Sequence, residues 1–162
     1  MERAERACFF TGHRILPPAK LDAIKTVLHY ELIKHIDAGI TTFISGGALG
    51  FDTIAAQQVL ELKKDDARIK LRLYIPYRHF ERRWREQDII AYHRIMGMAD
   101  AVQFISDTYT PACIRQRNEA LVRDAECGIA FQLTGKSGTG QTTAFARMYG
   151  REVVNIADII YK

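Results

Sequence analysis

Two turns of this sequence place glycine and hydroxyl side chains directly before a helical pattern. The first is Ser45-Gly46-Gly47-Ala48-Leu49-Gly50-Phe51-Asp52, and the second is Thr134-Gly135-Lys136-Ser137-Gly138-Thr139-Gly140. Glycine lets a backbone approach an anion closely, and the unpaired N–H groups at a helix start attract negative charge. Short strand-to-helix turns also need glycine for structural reasons, but two such turns in one chain favour phosphate binding. The candidate phosphate-binding residues are Ser45, Gly46, Gly47, Gly50, Ser137, Gly138, Thr139 and Thr142.

Neither turn matches a standard nucleotide-binding motif. A P-loop that ended in Gly135-Lys136-Ser137 would need glycine five positions before Gly135, and Ala130 stands there. The first turn has the spacing G-G-x-x-G, whereas the dinucleotide-binding fingerprint is G-x-G-x-x-G. The sequence therefore does not indicate a P-loop NTPase or an enzyme that uses a dinucleotide redox cofactor.

A third turn follows the first apolar run and contains Gly12, His13 and Arg14. A guanidinium at this place could hold a phosphate through two parallel hydrogen bonds. Asp52 is the only carboxylate of the first glycine turn, and it could bind a ribose hydroxyl, activate water or cap the adjacent helix. Asn118, in a later helical pattern, could bind a base or ribose or hold a neighbouring loop. All five residues join the candidate ligand-binding set.

The cysteines and histidines show no spacing that indicates a metal site. Cys8, Cys113 and Cys127 have no short paired spacing, which favours reduced thiols with structural roles. A surface or structural role is the interpretation for four histidines, which are His29, His35, His79 and His93. The sequence thus predicts no metal, no disulfide and no cofactor.

The apolar pattern alternates between strand-like and helix-like segments along the whole chain. The predicted strands are 7–12, 41–45, 69–75, 101–106, 128–133 and 152–156, with Pro76 ending the third. The predicted helices are 21–36, 51–62, 84–98, 114–126 and 141–149. Strands that are apolar on both faces and alternate with helices predict a single α/β domain over residues 1–162, Rossmann-like and doubly wound. Its sheet is expected to be mostly parallel, with helices on both faces.

Composition and charge narrow the class of protein. The chain has 162 residues, of which 48% are hydrophobic and 26% charged, as in a globular domain. The longest uncharged run, residues 38–51, is shorter than the roughly 20 residues of a spanning helix. The charged start of the chain lacks the apolar stretch of a secretory signal, so a cytoplasmic location without membrane contact is expected.

The net charge of +4 is unevenly distributed. Residues 68–94, which we call the basic segment, contain eight basic and three acidic residues. A local positive surface can attract the phosphates of a nucleotide or a nucleic acid. It can equally be the solvated face of an arginine-rich helix.

Several motifs of the chain occur in an order that resembles a known superfamily. They are Phe10-Thr11-Gly12-His13-Arg14, the glycine turn 45–52, the Trp84 helix ending in Ala99-Asp100, Arg117-Asn118 with Leu121-Val122, and Ser137-Gly138-Thr139. Together they resemble the SLOG superfamily, which joins the LOG phosphoribohydrolases with the DNA-processing protein DprA. Within that group the sequence is most similar to the small bacterial and phage YpsA/YoqJ-like proteins.

The resemblance implies a Rossmann-like domain that binds a nucleotide or a nucleotide derivative and forms a homodimer or higher oligomer. It implies that the turn 45–52 surrounds a phosphate, and that Arg117 contacts the ligand, because Arg117 matches an arginine of the LOG enzymes. Arg115 lies two residues away on the same predicted helix and should point elsewhere. The LOG enzymes carry glutamates after their second glycine turn, where this chain has Gln141, and glutamine cannot act as a general base.

Three functional hypotheses remain at this stage. The first is binding or sensing of a nucleotide or nucleotide-derived ligand by the glycine turns. The alternative is a LOG-like hydrolase that cleaves an N-glycosidic or phosphate bond with Asp52 or a water held by Gln141. The third hypothesis is DprA-like binding of single-stranded DNA by the basic segment.

Overall fold

Six parallel strands pair into one sheet in the computed structural model, which describes residues 5–135 and 137–162. In chain order they are β1 (Ala7–Gly12), β2 (Thr42–Ser45), β3 (Lys70–Tyr77), β4 (Ala101–Ser106), β5 (Cys127–Phe131) and β6 (Glu152–Asn155). Their spatial order is β4-β3-β2-β1-β5-β6. Phe9 and Phe10 are consecutive in β1 and point to opposite faces, yet both are fully buried. The sheet is therefore covered on both faces, as parallel sheets require.

Within the described residues, six α-helices cover the two faces of the sheet. They are α1 (Leu21–Asp37), α2 (Phe51–Lys63), α3 (Glu86–Met98), α4 (Cys113–Arg123), α5 (Gly138–Tyr149) and α6 (Ile156–Ile160). Helices α1, α2, α3 and α6 pack side by side on one face, and α4 packs against α5 on the other. The larger apolar core lies under the first group and includes Phe10, whereas Phe9 belongs to the smaller core under α4 and α5. The predicted Rossmann-like, doubly wound α/β fold is confirmed.

Several element bounds differ from the sequence prediction by two or three residues, among them the end of α4 at Arg123 and the end of β5 at Phe131, and one helix was missed. Helix α5 begins at Gly138 rather than at residue 141, because Ser137 caps it by accepting a hydrogen bond from the N–H of Gly140. Strand β3 continues through Pro76 to Tyr77. Its pairing with β2 ends at Leu73, so the edge of β3 that faced β2 is unpaired at Pro76, and an unpaired edge tolerates a residue without an N–H group. Helix α6, which packs on α1, was not predicted from the pattern.

The strand order reverses between β1 and β5. The chain leaves β4 at one edge of the sheet, crosses through α4 and enters β5 directly beside β1. The helices that follow β1 and β5 therefore lie on opposite faces, and the carboxyl ends of these two strands open a crevice. Ligands of doubly wound sheets bind at such a switch point.

Among the described residues, no helix has both the length and the apolar character needed to cross a lipid bilayer. Two features of the sequence prediction, the start of the chain at residues 1–4 and Lys136 in the second glycine turn, lie outside the described residues.

Candidate functional site

A cavity of about 570 Å³ opens at the switch point between β1 and β5. Its walls come from the turn after β1, the turn after β5, and the facing sides of α2, α4 and α5. We call it the switch-point cavity. Most of the predicted ligand-binding residues line it, namely Gly12, His13, Arg14, Asp52, Arg117, Asn118, Ser137, Gly138 and Thr139.

The other predicted residues, Ser45, Gly46, Gly47, Gly50 and Thr142, lie behind the cavity wall. The fully buried Ser45 hydroxyl donates to the carbonyl of Asp52 and accepts from the N–H of Gly47, each at 3.2 Å. The Thr142 hydroxyl donates to the carbonyl of Gly138 at 3.1 Å, inside α5. These hydroxyl groups hold the two turns in shape and do not face the cavity.

Gly50 fixes the position of the turn after β1. Its φ of +76° suits glycine, and a Cβ atom built there would lie 2.3 Å from the carbonyl oxygen of Arg14. One residue later, the N–H of Phe51 donates to the carbonyl of His13 at 3.1 Å. The backbone of the turn 45–52 thus packs directly against the His13-Arg14 turn and places it at the cavity.

Asp52 is a buried carboxylate at the base of the switch-point cavity. Its Oδ2 accepts a hydrogen bond from the N–H of Ala48 at 3.2 Å, so it holds the turn before α2 rather than capping the helix. Its Oδ1 is buried and has no hydrogen-bond partner within the described part of the chain. Burial raises the pKa of Asp52 to about 6, although the charges of Arg117 and Arg14 and the Ala48 hydrogen bond act in the opposite direction.

Arg117 reaches from α4 across the carboxyl ends of β2 and β3. Its Nη1 donates to the carbonyl oxygens of Gly46 and, at 3.4 Å, of Tyr74. Its Nε donates to Oδ1 of Asn118 at 2.9 Å, and the Asn118 amide donates to Oε1 of Gln141 on α5 at 3.0 Å. Burial lowers the pKa of Arg117, while the charge of Asp52 opposes this shift. The chain of contacts fixes a buried guanidinium beside Asp52.

His13 stands at the rim of the cavity as a neutral ring. Its Nε2 lies 2.8 Å from the backbone nitrogen of Leu133, and because that N–H donates, Nε2 accepts and the ring proton sits on Nδ1. Partial burial lowers the pKa of His13, which agrees with the neutral form. The ring ties the turn after β1 to the turn after β5 across the switch point.

The start of α5 and the guanidinium of Arg14 face the same space. Ser137 satisfies the N–H of Gly140, which leaves the first N–H groups of the helix, on Gly138 and Thr139, without a helical acceptor. Arg14 is exposed and lies over the ring of Phe80 at 5.4 Å from its centre. Anion donors from both sides of the switch point therefore converge on the cavity.

A second cavity of about 780 Å³ adjoins the first. It is bounded by four arginines and several aromatic rings, and we call it the arginine groove: Arg14, Arg78, Arg82 and Arg83 with Tyr77, Trp84 and Tyr109. Arg14, Phe80 and Ile114 line both cavities. The rings pack edge to face on their neighbours, with 5.5 Å between the centres of Tyr77 and Tyr109.

The basic segment is not one surface. Arg68, Lys70 and Arg72 lie at the amino end of β3, where they pair with acidic side chains of Asp66 and Glu5. Of the eight basic residues in the segment, only Arg78, Arg82 and Arg83 line the arginine groove. The linear charge count therefore overstated the extent of one continuous basic face.

The sequence prediction missed the apolar walls of the switch-point cavity. They consist of Phe10, Ile15, Phe80, Ile114, Leu121 and Leu133. Leu133 and Ile15 are 52% and 88% exposed where they line the cavity. Ile15 follows the first predicted strand, and post-strand residues line this edge of a parallel sheet, but Leu133 was predicted to be the last residue of the fifth strand, so this signal existed for Ile15 and not for Leu133.

Comparison with solved structures finds the same fold in DNA processing protein A. The chain superimposes on the Helicobacter pylori protein with a TM-score of 0.64 and 20% identity, covering 91% of this chain and 63% of that one. The Streptococcus pneumoniae protein gives a TM-score of 0.61 and 17% identity, covering 92% of this chain and 49% of that one. At these identities the likeness establishes the fold.

Curated proteins, two of which are described here, also match the chain in sequence. A UPF0398 protein of Halalkalibacterium halodurans is 31% identical over 105 residues, which are 64% of this chain and 56% of that protein. The chain therefore spans little more than half the length of that relative. The prophage SPbeta protein YoqJ of Bacillus subtilis is 28% identical over 117 residues, covering 65% of this chain and 68% of YoqJ.

A family model matches nearly the whole of the described fold, from the turn after β1 to the end of α5. It is the model of the YspA SLOG family (YpsA), and it aligns with residues 16–149. Because this model matches more than half of its length, the chain belongs to the YspA SLOG family.

Proposed function

We propose that the chain binds an anionic, nucleotide-derived ligand in the switch-point cavity. The observation that carries this proposal is the charge balance of the cavity. Two guanidinium groups, Arg14 and Arg117, face one carboxylate, Asp52, whose pKa of about 6 leaves it partly protonated near neutral pH. The cavity is therefore net positive, and a bound anion would offset that charge.

The remaining walls suit the rest of a nucleotide. A volume of about 570 Å³ falls within the range of small-molecule sites. The side chains of Phe10, Leu121 and Leu133 provide apolar surface for a base, while the start of α5 and Arg14 provide donors for phosphate. Oδ1 of Asp52, which has no hydrogen-bond partner among residues 5–135 and 137–162, would be the acceptor for a ribose hydroxyl.

Calorimetric titration of the whole chain with AMP, ADP, ADP-ribose and NAD tests this proposal. We expect at least one of them to bind, and we expect Arg14→Ala to weaken that binding by about tenfold or more, the value of a charge-assisted hydrogen bond. Arg115→Ala is the matched control, since Arg115 is exposed on α4 and outside the cavity. Absence of binding by every compound at millimolar concentration would contradict the proposal.

The same mixtures also test hydrolysis. Chromatography after incubation would detect released base or phosphate. In the hydrolytic alternative, Gln141 would hold a water molecule. Its side-chain oxygen already accepts a hydrogen bond from the Asn118 amide, which argues against that role. Asp52, with a pKa of about 6, is the group that could move a proton near neutral pH.

The arginine groove supports single-stranded nucleic acid as a second candidate ligand. It combines guanidinium groups for phosphates with aromatic rings on which bases can stack, and Tyr109 is 62% exposed there. The reported structure of the Helicobacter pylori DNA processing protein A concerns its binding of single-stranded DNA. In this chain the groove is continuous with the switch-point cavity through Arg14, Phe80 and Ile114.

Fluorescence anisotropy with labelled single-stranded DNA at several salt concentrations tests this second candidate. We expect affinity to fall with salt, and the joint change Arg82→Ala and Arg83→Ala to reduce the slope of log K against log salt by about 1.4. The control is Arg68→Ala with Arg72→Ala, which removes the same charge at the other end of β3. Equal losses in both pairs would indicate nonspecific attraction and overturn the role of the groove.

A further inference from the structure

Three potential metal ligands meet at the end of the sheet opposite the switch-point cavity. Cys8 is the second residue of β1 and Cys127 the first of β5, and the two are register partners in this parallel pair. Register partners project to the same face of the sheet, and this is the face that α1 covers. His35, in the last turn of α1, lies over them. The two sulfur atoms and one ring nitrogen of His35 all lie within 4.8 Å of one another.

The other interactions of His35 prepare its ring for a metal. Its Nδ1 lies 2.7 Å from the backbone carbonyl oxygen of Glu31, and since a carbonyl cannot donate, Nδ1 carries the proton. Nε2 consequently keeps its lone pair. Histidine ligands of metals typically donate their second N–H to a carbonyl or carboxylate in this way, which fixes both tautomer and ring orientation.

Burial leaves the cluster accessible from one side. Cys8 is fully buried, whereas Cys127 and His35 are partly exposed. An ion can therefore enter past Cys127 and His35, and a water molecule can occupy a fourth position. Cys8 and Cys127 form no disulfide, and the Cys127 sulfur contacts both Cys8 and His35, so the three ligand atoms already face one another.

We propose that Cys8, Cys127 and His35 form a binding site for a thiophilic divalent cation, Zn²⁺. Zinc prefers sulfur and imidazole nitrogen, and in tetrahedral geometry such ligands lie about 3.5–3.8 Å apart. Separations of at most 4.8 Å need only small side-chain rotations to reach that geometry. On binding, the two thiols release their protons to solvent and the thiolates coordinate the ion.

The proposed site is independent of the nucleotide proposal, because it lies at the amino ends of the strands. Its ion would join the end of α1 to β1 and β5, beside the Arg6 guanidinium, which donates to the carbonyl of Ala38 at 2.6 Å and pairs with Glu126 at 2.8 Å. Its role would be to fix the two central strands whose other ends form the switch-point cavity.

Metal titration of the whole chain tests the site. The protein is stripped with chelator, kept reduced with a phosphine, and titrated with Zn²⁺ against a chromophoric chelator. We expect one Zn²⁺ per chain, and with Co²⁺ a thiolate-to-metal charge-transfer band together with the strong visible bands of tetrahedral coordination. Zn²⁺ should also protect Cys127 from alkylation. These wild-type readouts do not depend on any variant folding.

Variants identify the ligands. Cys127→Ser and His35→Gln should each weaken Zn²⁺ binding by more than the roughly 10- to 100-fold that outer-shell changes cause. Two controls should leave it unchanged: Cys113→Ser, which removes the third thiol, on α4, and His29→Gln, which removes an exposed histidine of α1. A Co²⁺ spectrum without charge transfer, equal affinity in ligand and control variants, or a Cys8–Cys127 disulfide formed in the presence of Zn²⁺ would each overturn the proposal.

Discussion

Replacement of Gly50 by alanine is expected to lower the free energy of unfolding by about 2–6 kcal/mol, in two additive parts. The first is conformational, because the backbone at φ +76° and ψ −119° suits glycine, and an L side chain there costs about 1–3 kcal/mol. The second is steric, since the new Cβ would lie 2.3 Å from the carbonyl oxygen of Arg14 and 2.5 Å from that of His13. Both contacts are backbone atoms, so relief requires the whole turn after β1 to move.

Gly150→Ala provides a comparison without a steric clash. Gly150 adopts the left-handed helical conformation, with φ +69° and ψ 32°, and no atom lies within 4 Å of a Cβ built there. Its replacement should therefore cost only about 1–2 kcal/mol. Urea denaturation followed by circular dichroism measures both variants, and equal losses would show that the packing of Gly50 against His13 and Arg14 does not hold.

Replacement of Asp52 by asparagine should remove a pH dependence of stability. The folded-state pKa of about 6 lies above the ordinary aspartate value of about 3.9, so the folded chain holds the proton more tightly than the unfolded chain. Stability is therefore full below about pH 4, falls as the pH rises from 4 to 6, and stays lower above that. A difference of about 2 pKa units corresponds to about 3 kcal/mol.

The asparagine side chain cannot ionise, and its oxygen can still accept the hydrogen bond of Ala48. We expect Asp52→Asn to flatten the profile between pH 4 and 6 and to raise the free energy of unfolding at pH 8 above that of the wild type. Asp66→Asn is a control of opposite sign, because hydrogen bonds from Arg68 lower the pKa of Asp66 and stabilise it when ionised. Identical pH profiles for wild type and Asp52→Asn, from chemical denaturation at each pH, would contradict the assignment.

The alternation of apolar patterns was sufficient to predict the fold. Segment 7–12 is apolar on both faces, and that property belongs to strands inside a covered parallel sheet. The start of α5 was placed too late because Gly138 and Gly140 disfavour a helix, and the cap at Ser137 outweighs this local preference. The end of β3 was placed too early because a strand can contain Pro76 where its N–H is not needed for pairing. Here β2 no longer pairs with β3 at Pro76 while β4 still does, and the sequence alone does not show this.

The candidate site was predictable to the extent that it follows from position after a strand. His13, Arg14 and Ser137 occupy such positions and line the switch-point cavity. The inward orientation of Ser45 was not predictable, because a hydroxyl in a glycine turn can face a ligand or its own backbone. The cluster of Cys8, His35 and Cys127 was not predictable either. These residues meet because β1 and β5 are neighbours in the sheet and the end of α1 lies over them, and no local sequence spacing encodes that arrangement.

The switch-point cavity and the arginine groove share the side chain of Arg14. Arg14 lines both spaces, and a single guanidinium cannot donate its planar fork to anions on both sides at once. An occupant of the cavity that captures Arg14 would thereby deprive the groove of one of its four guanidinium groups. By thermodynamic linkage the effect is reciprocal, so each occupant would weaken the other by the same factor. Under the two functional proposals, a small anion in the cavity and an extended one in the groove would therefore antagonise each other at Arg14.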